Sequence, residues 1–192
     1  MLLRAHPGEK PYQKNSLETV RGAAASLLDR GADRVYLFNY MDSETAIDHV
    51  ADNARILREA GSLATLAGKP RRHVVTYPDT WAPGEAQAIA LPQTIGKGQW
   101  RAFREPIGPA PGAGKAEVRL GVESADARDW KVLVNGEPCA FVSDRKPEKP
   151  HSPAPMFCFT APLAALRRGY NAVEIEATAG GGRIVWVELA LG

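Results

Sequence analysis

Alternation with a period of two restricts the fold of this chain more than any other feature of its sequence. Within residues 117–123, Val118, Leu120 and Val122 share one face while Glu117, Arg119 and Glu123 take the other. That is the pattern of a strand with one buried and one solvated side. Trp130, Val132 and Val134 alternate in the same way and run into Asn135–Gly136, a strong hairpin signal. Val173, Ile175 and Ala177 alternate against Glu174 and Glu176, and Val185, Val187, Leu189 and Leu191 are expected on one face of a terminal strand. Short alternating strands separated by turn formers predict an antiparallel β-sandwich over residues 91–192. The proline-rich stretches 106–111 and 147–155 read as its long loops, and Gly180–Gly182 as a hairpin loop.

The first 76 residues follow a different periodicity. Ser16 is placed to cap a helix that carries Val20, Ala23, Ala24, Leu27 and Leu28 at helical spacing and ends at Gly31. Val35–Phe38 is a short apolar run, which predicts a strand buried on both faces of a parallel sheet. A second helix is expected along Ile47, Val50, Ala54, Leu57 and Ala60, followed by a strand at Val74–Val75. Helix, buried strand and helix make an α/β segment. A turn-rich linker is placed over residues 77–90.

The phrases SLETVRGAAASLLDRGADRVYLFNY and ILREAGSLATLAGKPRRHVVTY resemble the last part of a bacterial glycoside-hydrolase-like (β/α)8 barrel. VRLGVES, KVLVNGEPC, FTAPLAALRRGYNAVEIEA and IVWVELAL are similar to the β-sandwich appended to such barrels. The turn at Arg168–Gly169–Tyr170–Asn171 is typical of galactose-binding-like modules. The fold class implied is an α/β segment (a partial (β/α) barrel remnant) followed by an all-β jelly-roll sandwich. At 192 residues the chain is shorter than the roughly 250 of a complete barrel. The resemblance therefore implies a C-terminal piece of a larger enzyme, without the earlier strands that usually carry the catalytic carboxylates. The function implied is carbohydrate association or an accessory role without catalysis. A hydrolase with its site at the broken barrel end, metal-dependent and formed across a dimer, is the rival reading. An incomplete barrel leaves apolar surface uncovered, to be covered by oligomerisation or by packing against the sandwich, and a homo-oligomer is expected.

The carboxyl ends of parallel strands are where α/β folds place ligands. Asn39, Tyr40, Asp42 and Glu44 follow the expected strand at 35–38, with Asp42 and Glu44 as acid–base candidates and Asn39 and Tyr40 as groups for sugar hydroxyls. The alternative is that Asp42 and Ser43 simply cap the next helix. His6, His49 and His73, with Asp42, are the candidate metal ligands, although their spacing matches no metal motif. Trp81, Trp100, Trp130, Trp186 and Tyr170 are the aromatics available as sugar platforms. Trp186 leads among them, because alternation turns it away from the core, either towards a ligand or into a domain interface. Cys139 and Cys158 fit no zinc or redox motif, and read either as buried thiols or as a disulfide.

Lys and Arg total 24 against 22 Asp and Glu, a formal charge of +2. That balance gives no electrostatic case for nucleic acid or an anionic membrane, and no apolar run is long enough to span a bilayer. The first residues lack the apolar core of a secretory signal. As written the chain reads as cytoplasmic, with export left open for a longer parent. No cofactor is specified by any motif.

Overall fold

The computed structural model describes residues 15–37, 50–75, 90–123, 129–145 and 156–192. The alternating segments form the expected strands: β4 (Ala116–Glu123), β5 (Trp130–Val134), β9 (Tyr170–Ala177) and β10 (Gly181–Leu191). Six more join them: β1 (Arg71–Val74), β2 (Gln93–Gly96), β3 (Trp100–Pro106), β6 (Glu137–Pro138), β7 (Ala140–Arg145) and β8 (Met156–Ala161). One sheet runs β1-β10-β4-β8-β7, with β2 also paired to β10, and the other runs β3-β9-β5-β6. Between them lies a continuous core that includes Phe103, Val118, Leu120, Val122, Val132, Val134, Val173, Ile175, Val187 and Leu189. Each is at most 5% exposed, and burying side chains of this size contributes about 1.5–3 kcal/mol apiece. Asn135 (φ 52°) and Gly136 (φ 85°) make the tight turn between β5 and β6, the left-handed pair a two-residue hairpin favours.

Two details of the sandwich differ from expectation. A bulge between Ile184 and Trp186 shifts the register of β10 on β4. Ile184, Val187, Leu189 and Leu191 therefore belong to the inter-sheet core, and Val185 does not. Gly180–Gly182 does not close a hairpin, because β9 and β10 lie in different sheets; the chain crosses there from one layer to the other.

No barrel remnant is evident among the described residues. Every described strand pair is antiparallel. Val35–Leu37 form no strand, and Tyr36 is 84% exposed. Val74 belongs to β1, which pairs antiparallel with β10 from Arg71↔Leu191 to Val74↔Glu188. The expected second strand of an α/β segment is thus an edge strand of the sandwich. A short apolar run does not by itself distinguish a buried strand from an extended stretch laid against helices. Val35 and Leu37 are of the second kind, packing on Leu17, Ala24, Ala25, Ile56, Ala60 and Leu66. The jelly-roll expectation gives way too: the described strands divide six and four, whereas a jelly roll is an eight-stranded double Greek key.

The helical part is small: α1 (Leu17–Asp29), a 3-10 turn at Val50–Asp52, α2 (Asn53–Glu59) and α3 (Leu63–Leu66). Ser16 caps α1 as expected, accepting from the Thr19 amide at 3.2 Å. In α2 it is Ile56 that is buried, while Leu57 stays 65% exposed. Helix α1 lies on the backbone of β1. A Cβ at Gly22 would stand 2.0 Å from the Arg72 carbonyl oxygen, so no larger residue fits at that crossing. Arg21 of α1 pairs with Glu59 at 2.7 Å and also donates to the Pro70 carbonyl, tying the helices to the start of β1. No described helix is long and apolar enough to cross a membrane.

Candidate functional site

The two sheets each present an outer face, and the polar residues of the sandwich concentrate on these faces and at the edge beneath α1. On the six-stranded sheet, Glu188 stands opposite Arg119 of β4 and Val74 of β1. Its carboxylate accepts from Arg72 Nε at 2.6 Å and Nη2 at 2.7 Å, from Arg119 Nη1 at 2.9 Å, and from Trp186 Nε1 at 3.1 Å. Glu188 is fully buried. Burial alone would raise its carboxyl, but the bonds and charge of Arg72, then the charge of Arg119 and the Trp186 bond, hold it below the usual range. Trp186 packs with Met156 and Val74 and is 2% exposed. Gly121 makes room for it, since a Cβ there would lie 2.8 Å from the Trp186 Cβ. Trp186 does turn away from the inter-sheet core, yet it offers no free ring face to a sugar.

At the edge beneath α1, His73 of β1 faces inward opposite Leu189. Its Nδ1 is 3.2 Å from Ser26 Oγ, and its Nε2 is buried without a partner. Burial, then the charge of Arg71, pulls His73 down to about 3, so the imidazole is neutral. Glu105 of β3 is also buried, and burial, then the charge of Glu188, pushes its carboxyl up to about 8. These are groups sealed between the sheets. No group of three metal-binding side chains occurs among the described residues. His6, Asn39, Tyr40, Asp42, Glu44 and His49 lie outside the described residues; His73 and Trp186 lie within them and are not together, His73 facing inward and Trp186 outward. Cys139 and Cys158 form no disulfide; Cys158 is buried, and burial pushes Cys139 up to about 12.

The outer face of the four-stranded sheet is open. Strand register places Trp100, Glu176 and Lys131 in one row across β3, β9 and β5, and Ala102, Glu174 and Leu133 in the next. Arg104 and Ala172 begin a third row, and Tyr170 opens β9 beside them. Trp100 is 61% exposed and Tyr170 45%. Lys131 Nζ lies 3.8 Å from Glu176 Oε2, both partly exposed, and Glu174 accepts from the Gly136 amide at 2.8 Å. Asn171, facing the other way, locks the turn before β9 by bonding Arg167, Gly169 and Asn135. Chemically this face offers one free indole, small neighbours that leave it accessible, and both signs of charge within a strand spacing. Sequence reasoning included Trp100 and Tyr170 among the aromatics but missed the row structure. The signal was in Trp-Arg-Ala-Phe-Arg-Glu, where a buried Phe103 turns Trp100, Ala102 and Arg104 outward.

No family model and no curated protein matches the chain. Among solved structures, it is similar to a β-porphyranase of glycoside hydrolase family 86 from the human gut bacterium Bacteroides plebeius. That match has 20% identity and a TM-score of 0.46, over 64% of this chain and 20% of the enzyme. Wild-type BuGH86 in complex with neoagarooctaose matches at 16% identity and a TM-score of 0.45, over 63% of this chain and 18% of that one. The chain thus spans about a fifth of the length of these proteins, and they assign no role to any of its residues.

Proposed function

We propose that this chain is a carbohydrate-associating β-sandwich, an accessory part of a glycoside-hydrolase-like protein without catalysis of its own. Trp100 carries the reading: a tryptophan 61% exposed on an open sheet face, with Glu176 and Lys131 in its row. The C–H face of a pyranose stacks on an aromatic ring, while a carboxylate and an ammonium beside it bond the hydroxyls at the sugar's rim. Ala102 and Ala172 are low neighbours that do not block the approach. The same face argues against hydrolysis. Glu174 and Glu176 stand two residues apart on one strand and so on one side of any bound glycan, whereas glycosidases set two carboxyl groups on either side of the scissile bond.

Affinity electrophoresis against soluble neutral polysaccharides (β-glucan, galactan, mannan and xylan) tests the reading. At least one is expected to retard the protein, and Trp100→Ala to abolish that retardation while leaving the circular dichroism unchanged. Migration unaffected by all four, or equal retardation of Trp100→Ala, would overturn it.

A further inference from the structure

At the far end of the same open face the charge changes character. Two guanidinium groups lie over the Tyr170 ring: Arg104, with its central carbon 4.3 Å from the ring centroid, and Arg30, just after α1, at 5.7 Å. Arg168 is exposed beside them and donates to Asp29 Oδ1 at 2.8 Å. Asp29 is the one carboxylate paired into this cluster among the described residues, and neither Arg30 nor Arg104 has a described carboxylate partner. Three cations therefore share a single anion.

A guanidinium resting on a ring is held by the ring's negative face and keeps the N–H donors of its rim free. Those donors match the geometry of an oxyanion, which they grip in bidentate fashion. The stack on Tyr170 also fixes the two arginines beforehand, lowering the ordering cost of binding. Arg104 stands four residues from Trp100 on the same face of β3, about 13 Å along the strand. Glu174 and Glu176 lie towards the Trp100 end, where they repel an anion.

We propose that the Arg30–Arg104–Arg168 cluster binds an anionic substituent, a sulfate or a carboxylate, on a polysaccharide lying along this face. A neutral stretch of the chain then rests on Trp100, and the charged group is a few sugar units further on. The inference rests on the carbohydrate reading for the nature of the polymer, and adds the chemical class of the ligand and its direction along the face.

Dextran and dextran sulfate share a backbone, and their binding to the full chain by isothermal titration calorimetry separates the two ideas. Dextran sulfate is expected to bind more tightly than dextran. Its affinity should fall about tenfold or more in Arg104→Ala and fall again as salt is raised. Arg30→Ala, an exposed residue outside the sheet, should weaken it in the same direction, and Arg104→Lys should recover only part, because an ammonium lacks the bidentate rim. Equal binding of the two dextrans, or wild-type affinity in the Arg30→Ala/Arg104→Ala double variant, overturns the inference. Inorganic polyphosphate bound as tightly as dextran sulfate overturns the assignment to a glycan. Trp100-dependent binding of neutral glycans without preference for dextran sulfate sinks this inference alone. Arginine-dependent binding of dextran sulfate with no neutral glycan bound sinks the Trp100 reading alone.

Discussion

On the outer face of the six-stranded sheet, Trp186, Glu188, Arg72 and Arg119 converge into a buried network in which one carboxylate serves two guanidinium groups and an indole. On the outer face of the four-stranded sheet, Trp100, Glu176 and Lys131 share one row, Arg104 stands two rows away, and all remain in contact with water. The residue types are nearly the same. What separates the faces is cover. Once Glu188 loses water, its charge is tolerable only with all its partners in place, and the side chains there are committed to one another. The uncovered face makes no such demand, so its aromatic ring and its arginines stay accessible. On the proposed reading, the buried polar groups of this protein serve stability and the exposed ones recognition.

The sharpest way to break this contrast is to remove the centre of the closed face. Glu188→Ala takes away the carboxylate that Arg72 and Arg119 share, leaving Arg119 with Glu117 alone. It is expected to cost about 3 kcal/mol in urea unfolding, the lower part of the usual range because Arg72 and Arg119 keep some exposure. A loss below about 1 kcal/mol would put the closed face in the same class as surface ion pairs.

A smaller effect crosses between the sheets. Burial and the charge of Glu188 hold the Glu105 carboxyl at about 8 against an ordinary 4.5. The folded state therefore keeps a proton that the unfolded chain has released, and stability falls as pH rises from the lower value to the higher. Between pH 6.5 and 8 the loss from this group is about 2 kcal/mol, and Glu105→Gln should flatten that slope. His73, pulled down to about 3 from 6.5, acts with the opposite sign and below that window, which leaves the alkaline limb to Glu105. A wild-type midpoint that does not move between pH 6.5 and 8 would count against a buried, protonated Glu105.

The smallest effect belongs to the open face. Trp100→Ala is expected to change unfolding stability by no more than about 0.5 kcal/mol, as surface substitutions do, even while it abolishes glycan binding. A loss above about 1.5 kcal/mol would make Trp100 a packing residue, and the distinction between the two faces would fail.

The sandwich is largely legible in the sequence. Val118, Leu120 and Val122, and likewise Val173, Ile175 and Ala177, alternate without interruption, and every one of them is fully buried. The Asn135–Gly136 turn and the Ser16 cap follow from local chemistry alone. The barrel remnant expected from the sequence fails because Val35–Leu37 and Val74 are apolar in ways that suit several environments, and neither stretch contains what decides between them. Val74 is paired by β10, more than a hundred residues away. Trp186 and Trp100 show the same limit at the candidate site. Alternation correctly turned Trp186 away from the inter-sheet core, yet the free ring face belongs to Trp100.

The sequence by itself determined which residues alternate, where the tight turns fall, and hence that the chain builds an antiparallel sandwich. These are local properties, set by side-chain period and backbone sterics within a few residues. Only the tertiary structure decided that β1 joins that sandwich, that Glu188 is buried among arginines, and that Trp100 stays open. Pairing and cover arise between segments distant in the chain, and whether a polar face meets water or another part of the protein is not written in the segment that forms it.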